Sequence, residues 1–131
     1  MRTCIAVALG IALAAAGSAS GASPIAFHTP SKNIDCLYLP RFLRCDIRSG
    51  LRPVPKRACE LDWTGVSLSQ TGRGRANCAG DSVADPRSTV LAYGRTWRRG
   101  GFVCRSRLTG LTCANASGRG FFLSRQRYRT F

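Results

Sequence analysis

The sequence predicts a small all-β domain braced by disulfides, a sandwich or barrel assembled from β-hairpins. Apolar segments after residue 24 are short, and Gly, Pro, Ser or Asn interrupts them about every ten residues. None of them keeps apolar residues at helical spacing for three turns, so the pattern favours strands. The same region holds six cysteines, namely Cys36, Cys45, Cys59, Cys78, Cys104 and Cys113.

The first residues have the pattern of a secretory signal peptide. A basic residue, Arg2, precedes an apolar segment from Ile5 to Ala16, and small residues follow from Gly17 to Ser23. The apolar segment has 12 residues, whereas a helix that spans a bilayer needs about 20. We therefore expect a signal helix that is removed after export, not a membrane anchor.

Cleavage after Ala19 or after Ala22 would leave small residues at the positions that signal peptidase reads, and we take Ala22. The expected organisation is a signal peptide, residues 1–22, followed by one secreted six-cysteine domain, residues 23–131. We expect the processed protein to be soluble, without a membrane-spanning segment, and to be secreted or periplasmic.

The six cysteines predict three disulfides, because an even number in an exported chain indicates a disulfide framework. A zinc site is the alternative. Successive cysteines are separated by 8, 13, 18, 25 and 8 residues, with no close pair of the kind that zinc sites use. The chain has one histidine, His28, outside the region that the cysteines bound. We therefore expect no metal site and no cofactor.

Residues 34–47 predict a hairpin around Pro40 and Arg41. If the numbers of facing residues sum to 81, Cys36 faces Cys45 in a non-hydrogen-bonded pair. Cα atoms in such a pair lie about 4.5 Å apart, a separation that a disulfide accepts. Proline cannot adopt the positive φ that two-residue hairpin turns prefer at their first position, so a longer loop is the alternative.

The same cysteine spacing recurs from Cys104 to Cys113 and predicts a second braced hairpin, with a four-residue loop from Arg107 to Gly110. Cys59 and Cys78 are then left to pair with each other. This connectivity is one of the 15 that six cysteines permit.

Two further strands are predicted toward the C-terminus. The apolar residues 90–93 predict one strand, ended by Gly94 and leading to Trp97. Residues 121–131 predict a basic strand at the edge of a sheet. Alternation would place three arginines on one face of this strand: Arg125, Arg127 and Arg129.

The charge of the chain is extreme, since 19 of its 20 basic residues follow residue 22, against six acidic residues. This excess favours an anionic partner such as an anionic polysaccharide, an envelope polymer or an acidic protein. Export argues against nucleic acid. The alternative is a solvated surface whose arginines reflect composition alone. Basic residues near aromatic rings are the candidates for binding anions: Arg98, Arg99, Arg105, Arg107, Arg125, Arg127 and Arg129.

Few residues could support catalysis. General acid–base chemistry at neutral pH most often uses histidine, and His28 lies near the processed N-terminus. Two carboxylate pairs, Glu60 with Asp62 and Asp81 with Asp85, could serve a hydrolase or bind a cation. In a chain this basic, pairing with arginine is the simpler role for them. We therefore predict no catalytic residue and no enzyme activity.

Several motifs span the exported part of the chain. It opens with F-x-x-P-S-x-N-I-x-C from Phe27 to Cys36 and continues with R-C-D-I, L-x-Y-G-x-x-W and G-L-T-C. It closes with G-x-G-F-x-L-S-R from Gly118 to Arg125. In these motifs the sequence resembles a family of small secreted bacterial proteins of unknown function with six cysteines. Arg119 departs from the histidine expected in many relatives. The resemblance implies export and six-cysteine architecture, and no mechanism.

These observations predict a non-enzymatic binding or envelope-associated module that recognises an anionic polymer or surface. The alternatives are a small secreted hydrolase that uses a carboxylate pair, and a cationic membrane-active or inhibitor protein.

Overall fold

The computed structural model describes residues 23–131, so the predicted signal peptide lies outside the described residues. The described chain is all-β, as the sequence predicts, and braced by disulfides. Its strands are β1 (Ala26–His28), β2 (Ile34–Leu39), β3 (Phe42–Ile47), β4 (Asp62–Ser69), β5 (Arg75–Ala79), β6 (Thr89–Val90), β7 (Thr96–Arg99), β8 (Phe102–Arg107), β9 (Gly110–Ala114), β10 (Gly120–Leu123) and β11 (Tyr128–Thr130).

The strands form two sheets. The first sheet has the order β5-β4-β3-β2-β1-β6, and the second has the order β11-β10-β9-β8-β7. Neighbouring strands are antiparallel except β1 and β6, which are parallel. Antiparallel sheets commonly bury one face and expose the other, and the alternation of buried and exposed residues along β8 and β9 follows that rule.

The first hairpin has the predicted register. β2 and β3 pair so that Cys36 faces Cys45, and the Cα atoms of these residues lie 4.1 Å apart. The turn keeps two residues because Arg41, and not Pro40, takes the positive φ, at 67°. Proline followed by a left-handed residue is the pattern of a type II turn. The longer loop is therefore not needed.

The second hairpin is braced as predicted, but its loop is shorter than we expected. Cys104 faces Cys113, and Arg107 pairs with Gly110, so only residues 108–109 form the turn. The predicted four-residue loop is wrong because β9 begins at Gly110, directly after the turn. Gly110 has a φ of 147°, which glycine adopts readily because it has no Cβ atom.

All three predicted disulfides are confirmed. They join Cys36 to Cys45, Cys59 to Cys78, and Cys104 to Cys113. The two hairpin disulfides lie in the core between the sheets, whereas Cys78 is exposed.

The strand predicted at residues 90–93 is mostly absent. Only Thr89 and Val90 form a strand, β6, which pairs with β1. The Leu91 amide still donates a hydrogen bond to the carbonyl of His28, but the chain then turns at residues 93–94, where Gly94 has a φ of 83°. The glycine that we expected to end a longer strand instead forms part of this turn.

The C-terminal strand is at the edge of its sheet as predicted, but it is shorter than predicted. A turn follows β10, in which the hydroxyl of Ser124 accepts a hydrogen bond from the Arg127 amide and donates one to the Arg127 carbonyl. β11 therefore begins only at Tyr128. Of the three arginines expected on one strand face, Arg129 alone lies on the strand, and Arg125 lies in the turn.

One core lies between the two sheets. Phe27 in β1 pairs with Cys36, and Trp97 in β7 pairs with Cys104, so an aromatic residue stands beside each hairpin disulfide. The rings of Phe27 and Trp97 are 5.0 Å apart between centroids. Both side chains are fully buried, and their contact joins β1 of the first sheet to β7 of the second sheet.

A long connection covers the outer face of the first sheet. Residues 80–88, which we call the strap, run from β5 at one edge of that sheet to β6 at the other edge. The strap amide of Val83 donates a hydrogen bond to the buried carboxylate of Asp46. Near the other end of the strap, Ser88 is hydrogen-bonded to His28. The outer face of the first sheet is therefore partly occupied.

Asn115 joins the two sheets from the end of β9. Its amide nitrogen donates hydrogen bonds to the carbonyls of Ser69 and Gly72, in the bend between β4 and β5. Its amide oxygen accepts from the backbone amides of Ser117 and Arg119. The side chain is buried, so its full set of partners stabilises this end of the domain.

Candidate anion-binding face and cleft

Charge is distributed unequally between the two sheets. Residues 23–94 carry ten basic and all six acidic residues, whereas residues 95–131 carry nine arginines and no acidic residue. The second sheet is built entirely from this acid-free segment. The asymmetry is visible in the sequence once the boundary between the sheets is known, and our sequence reasoning missed it.

Four of the six acidic residues pair with arginines of the first sheet or its strap. Arg44 binds the carboxylate of Asp46 through two nitrogens, at 2.8 and 3.0 Å, and also donates to Asp81 at 2.9 Å. Arg48 is paired with Asp35. In the strap, Arg87 is paired with Asp85. No arginine of residues 95–131 forms an ion pair in the described part of the chain.

The outer face of the second sheet carries regularly placed arginines. One row across the strands runs Thr96, Arg105, Thr112, Phe122, Arg129, each residue facing the next. Arg105 and Arg129 are separated by three strand spacings, about 14 Å. We call this surface the arginine face, and its exposed cations are Arg98, Arg105, Arg107, Arg127 and Arg129.

An aromatic ring lies at the centre of the arginine face. The Phe122 ring lies directly over Gly110, because a Cβ atom added to that glycine would come within 2.6 Å of the ring. The Arg127 guanidinium lies 5.6 Å from the centroid of the Phe122 ring. Arg129 lies in the same way 5.7 Å from the ring centroid of Phe131. Arginine side chains resting on aromatic rings lose fewer rotamers on binding than free ones would.

The other two candidate arginines lie apart from the arginine face. The Arg99 guanidinium donates a hydrogen bond to the carbonyl of Ser23 at 2.8 Å and lies 5.4 Å from the ring centroid of Tyr38. Arg99 is half-buried and holds the N-terminal segment to β7. Arg125 lies in the turn between β10 and β11, where it borders a cleft.

The cleft lies where turns from both sheets meet. Its volume is about 140 Å³, and three chain segments supply most of its wall: residues 29–34, residues 107–110 and residues 124–126. Tyr93 completes the wall. Arg107 belongs both to the cleft and to the arginine face, so the two surfaces are continuous. Arg107 and Arg125 are both among the candidates chosen from the sequence, but the sequence did not predict that they border one cleft.

Of the groups considered for catalysis, His28 and Asp85 border one cavity, which Asp35 also lines, whereas Glu60, Asp62 and Asp81 do not line it. Asp81 and Asp85 are engaged by Arg44 and Arg87, the role that we considered simpler for them. Asp62 is the first residue of β4, so Glu60 lies before the strand and does not share its face. His28 is half-buried and hydrogen-bonded to Ser88. Among the described residues, no three His, Cys, Asp or Glu side chains cluster in a way that could hold a metal ion.

One comparison with known proteins is positive. The sequence profile of the Family of unknown function (DUF6636) matches residues 5–131. The chain belongs to this family. No curated protein and no solved structure matches it. Membership of DUF6636 agrees with the expected family of unknown function, and it assigns no activity.

The structure also bears on where a DUF6636 protein of this kind folds. Three disulfides indicate an oxidising environment of the extracellular type, because reducing compartments keep thiols unpaired. No helix long and apolar enough to cross a bilayer occurs within residues 23–131.

Proposed function

We propose that the protein is an exported, non-enzymatic binding module whose arginine face recognises an anionic polymer. The observation that carries the proposal is the absence of any acidic residue from residues 95–131, which hold nine arginines. A solvated surface of ordinary composition mixes both signs of charge. Here all the acids lie within residues 35–85, so the second sheet carries charged side chains of one sign.

The geometry of the arginine face favours an extended ligand over a compact one. Arg105 and Arg129 are about 14 Å apart on a sheet surface, a distance that a single small anion cannot bridge. A polymer with repeating charges could contact both side chains. Phe122 and Thr112, which lie between them, could contact the uncharged parts of such a chain. An anionic polysaccharide or envelope polymer has these properties.

Rigidity supports the same proposal. The arginine face lies on a sheet whose central hairpin is closed by the Cys104–Cys113 disulfide. A preorganised surface loses less conformational entropy when it binds a ligand. More of the free energy of the individual charge contacts then contributes to the affinity for the polymer.

The test is binding of the oxidised protein to immobilised polygalacturonate, heparin and lipopolysaccharide at low and moderate salt. We expect saturable, salt-sensitive binding that the double variant Arg105→Ser/Arg129→Ser weakens. The matched control is Arg73→Ser/Arg75→Ser, which removes the same charge from two exposed positions, one just before β5 and one at its first residue. Absence of binding to every polyanion would overturn the proposal.

A further inference from the structure

The cleft beside the arginine face combines two cations with uncharged hydrogen-bonding groups. Arg107 and Arg125 border it, together with Thr109 and Gln126. Arg125, Arg107 and Gln126 make no side-chain hydrogen bond within residues 23–131, and all three are exposed. Their donors are therefore available to a ligand.

Other polar side chains of the cleft wall are already engaged and hold the wall in place. The Asn33 amide is bonded to Ser49 through both its nitrogen and its oxygen. The Ser124 hydroxyl is bonded to Arg127, and the Thr29 hydroxyl accepts from the Ile34 amide. The cleft thus has a fixed frame from which the free side chains project.

The size of the cleft suits one sugar unit. A cavity that holds one water has a volume of about 10–15 Å³ on the same measure. The cleft, at about 140 Å³, therefore has room for roughly ten waters. Tyr93, 42% exposed, offers a flat apolar ring at the wall. An aromatic body with a polar tip is suited to a ligand that is apolar on one face and hydroxylated at its edge.

Positive charge continues beyond the cleft. A shallower depression shares Ser31, Asn33 and Arg125 with it and adds Lys32 and Arg48. Lys32 is exposed and has no ion-pair partner in the described part of the chain. A second anionic unit could therefore bind beside the first.

We propose that the cleft binds one acidic sugar unit of the polymer, with Arg107 and Arg125 on its carboxylate and Tyr93 against its ring. This inference rests on the proposed function and names its ligand class. Guanidinium groups suit carboxylates because they can donate two parallel hydrogen bonds. Thr109 and Gln126 are placed to bond hydroxyl groups.

The test is an NMR titration of the oxidised protein with trigalacturonate. The probes for comparison are maltotriose, a neutral sugar, and inorganic phosphate, an anion without a sugar. We expect trigalacturonate to shift the amide signals of residues 107–110 and 124–126 saturably, and to bind more tightly than either comparison probe. Arg125→Ser and Tyr93→Ala should each weaken it about tenfold, whereas Arg73→Ser should not.

Three results would overturn the inference. Phosphate binding as tightly as trigalacturonate would make the cleft a simple anion site, and equal binding of maltotriose would remove the need for charge. Unshifted cleft signals in a protein that still binds polygalacturonate through Arg105 and Arg129 would exclude the cleft and leave the proposed function intact. If polygalacturonate did not bind but trigalacturonate still shifted the cleft signals, the proposed function of the arginine face would fail and the cleft inference would stand.

Discussion

Arg44 donates a hydrogen bond to the carboxylate of Asp81 at 2.9 Å, although 37 residues separate the two along the chain. A second nitrogen of the same guanidinium bonds the Asp81 carbonyl, also at 2.9 Å. Arg44 lies on β3, and Asp81 lies in the strap. This contact, together with the bond from Val83 to Asp46, holds the strap across the first sheet.

The strap contact should make stability depend on pH in acid. The hydrogen bond and the positive charge of Arg44 lower the pKa of Asp81 below its ordinary value of 3.8. Because the folded-state pKa is the lower one, this contribution is complete above about pH 5 and is lost as the pH falls through the folded-state pKa. Asp81→Asn should therefore lose less stability between about pH 7 and about pH 3 than the wild type.

Urea unfolding of both proteins at the two pH values measures this difference, and NMR titration of the Asp81 carboxyl checks the pKa directly. Parallel losses of stability in the wild type and in Asp81→Asn would contradict the account. The effect should be modest because Asp81 is exposed to solvent.

The three disulfides should differ in how easily they are reduced. Cys104 and Cys113 are each 0% exposed, whereas Cys78 is exposed at the surface. A reductant must reach the sulfur atom, so mild reduction should open Cys59–Cys78 before either hairpin disulfide. Alkylation of the freed thiols followed by mass spectrometry identifies the pair. Labelling of Cys104 or Cys113 first would show that the core opens more readily than its burial indicates.

Arg41 is a position where substitution should stabilise the protein. Its φ of 67° is unfavourable for a residue with a Cβ atom and is ordinary for glycine. Arg41→Gly should raise the free energy of unfolding by about 0.5–1 kcal/mol, since the greater freedom of glycine in the unfolded chain offsets part of the gain. Arg41→Ala keeps the strain and serves as the control. A glycine variant less stable than the alanine variant would contradict this reasoning.

Asn115 should be among the costliest polar side chains to remove. Its loss leaves the carbonyls of Ser69 and Gly72 and two backbone amides without their partner. Because the site is buried, Asn115→Ala should lower the free energy of unfolding by about 2–3 kcal/mol. Ser117→Ala, at an exposed position two residues later, should change it little. If urea unfolding gave the two variants the same free energy of unfolding, the structural role that we assign to Asn115 would be contradicted.

The sequence predicted best what depends on local pairing. The register that places Cys36 opposite Cys45 follows from the spacing within one hairpin. The errors occurred where a turn was set by a single residue. Gly110 began a strand where we expected a loop, and Ser124 made a turn where we expected a strand. Alternation of residue types does not report such changes of backbone direction.

The candidate site was predicted only in part. Arginines near aromatic rings were visible in the sequence, and Arg105 and Arg129 do lie on one surface. Nothing in the sequence indicated that Arg99 is engaged with Ser23, or that Arg125 meets Arg107 across a cleft. Those relationships depend on how the two sheets pack, which is a long-range property of the fold.

The most direct test of the account is the salt dependence of heparin binding, measured by calorimetry for the wild type and the two double variants. On nucleic acids each lost cation contact reduces the slope of log K against log salt by about 0.7–0.9. Heparin is also a linear polyanion that binds counterions, so we expect Arg105→Ser/Arg129→Ser to reduce the slope by roughly 1–2. Arg73→Ser/Arg75→Ser should leave the slope close to that of the wild type. Equal slopes for the two double variants would contradict the account, because binding would then follow net charge and not the arginine face.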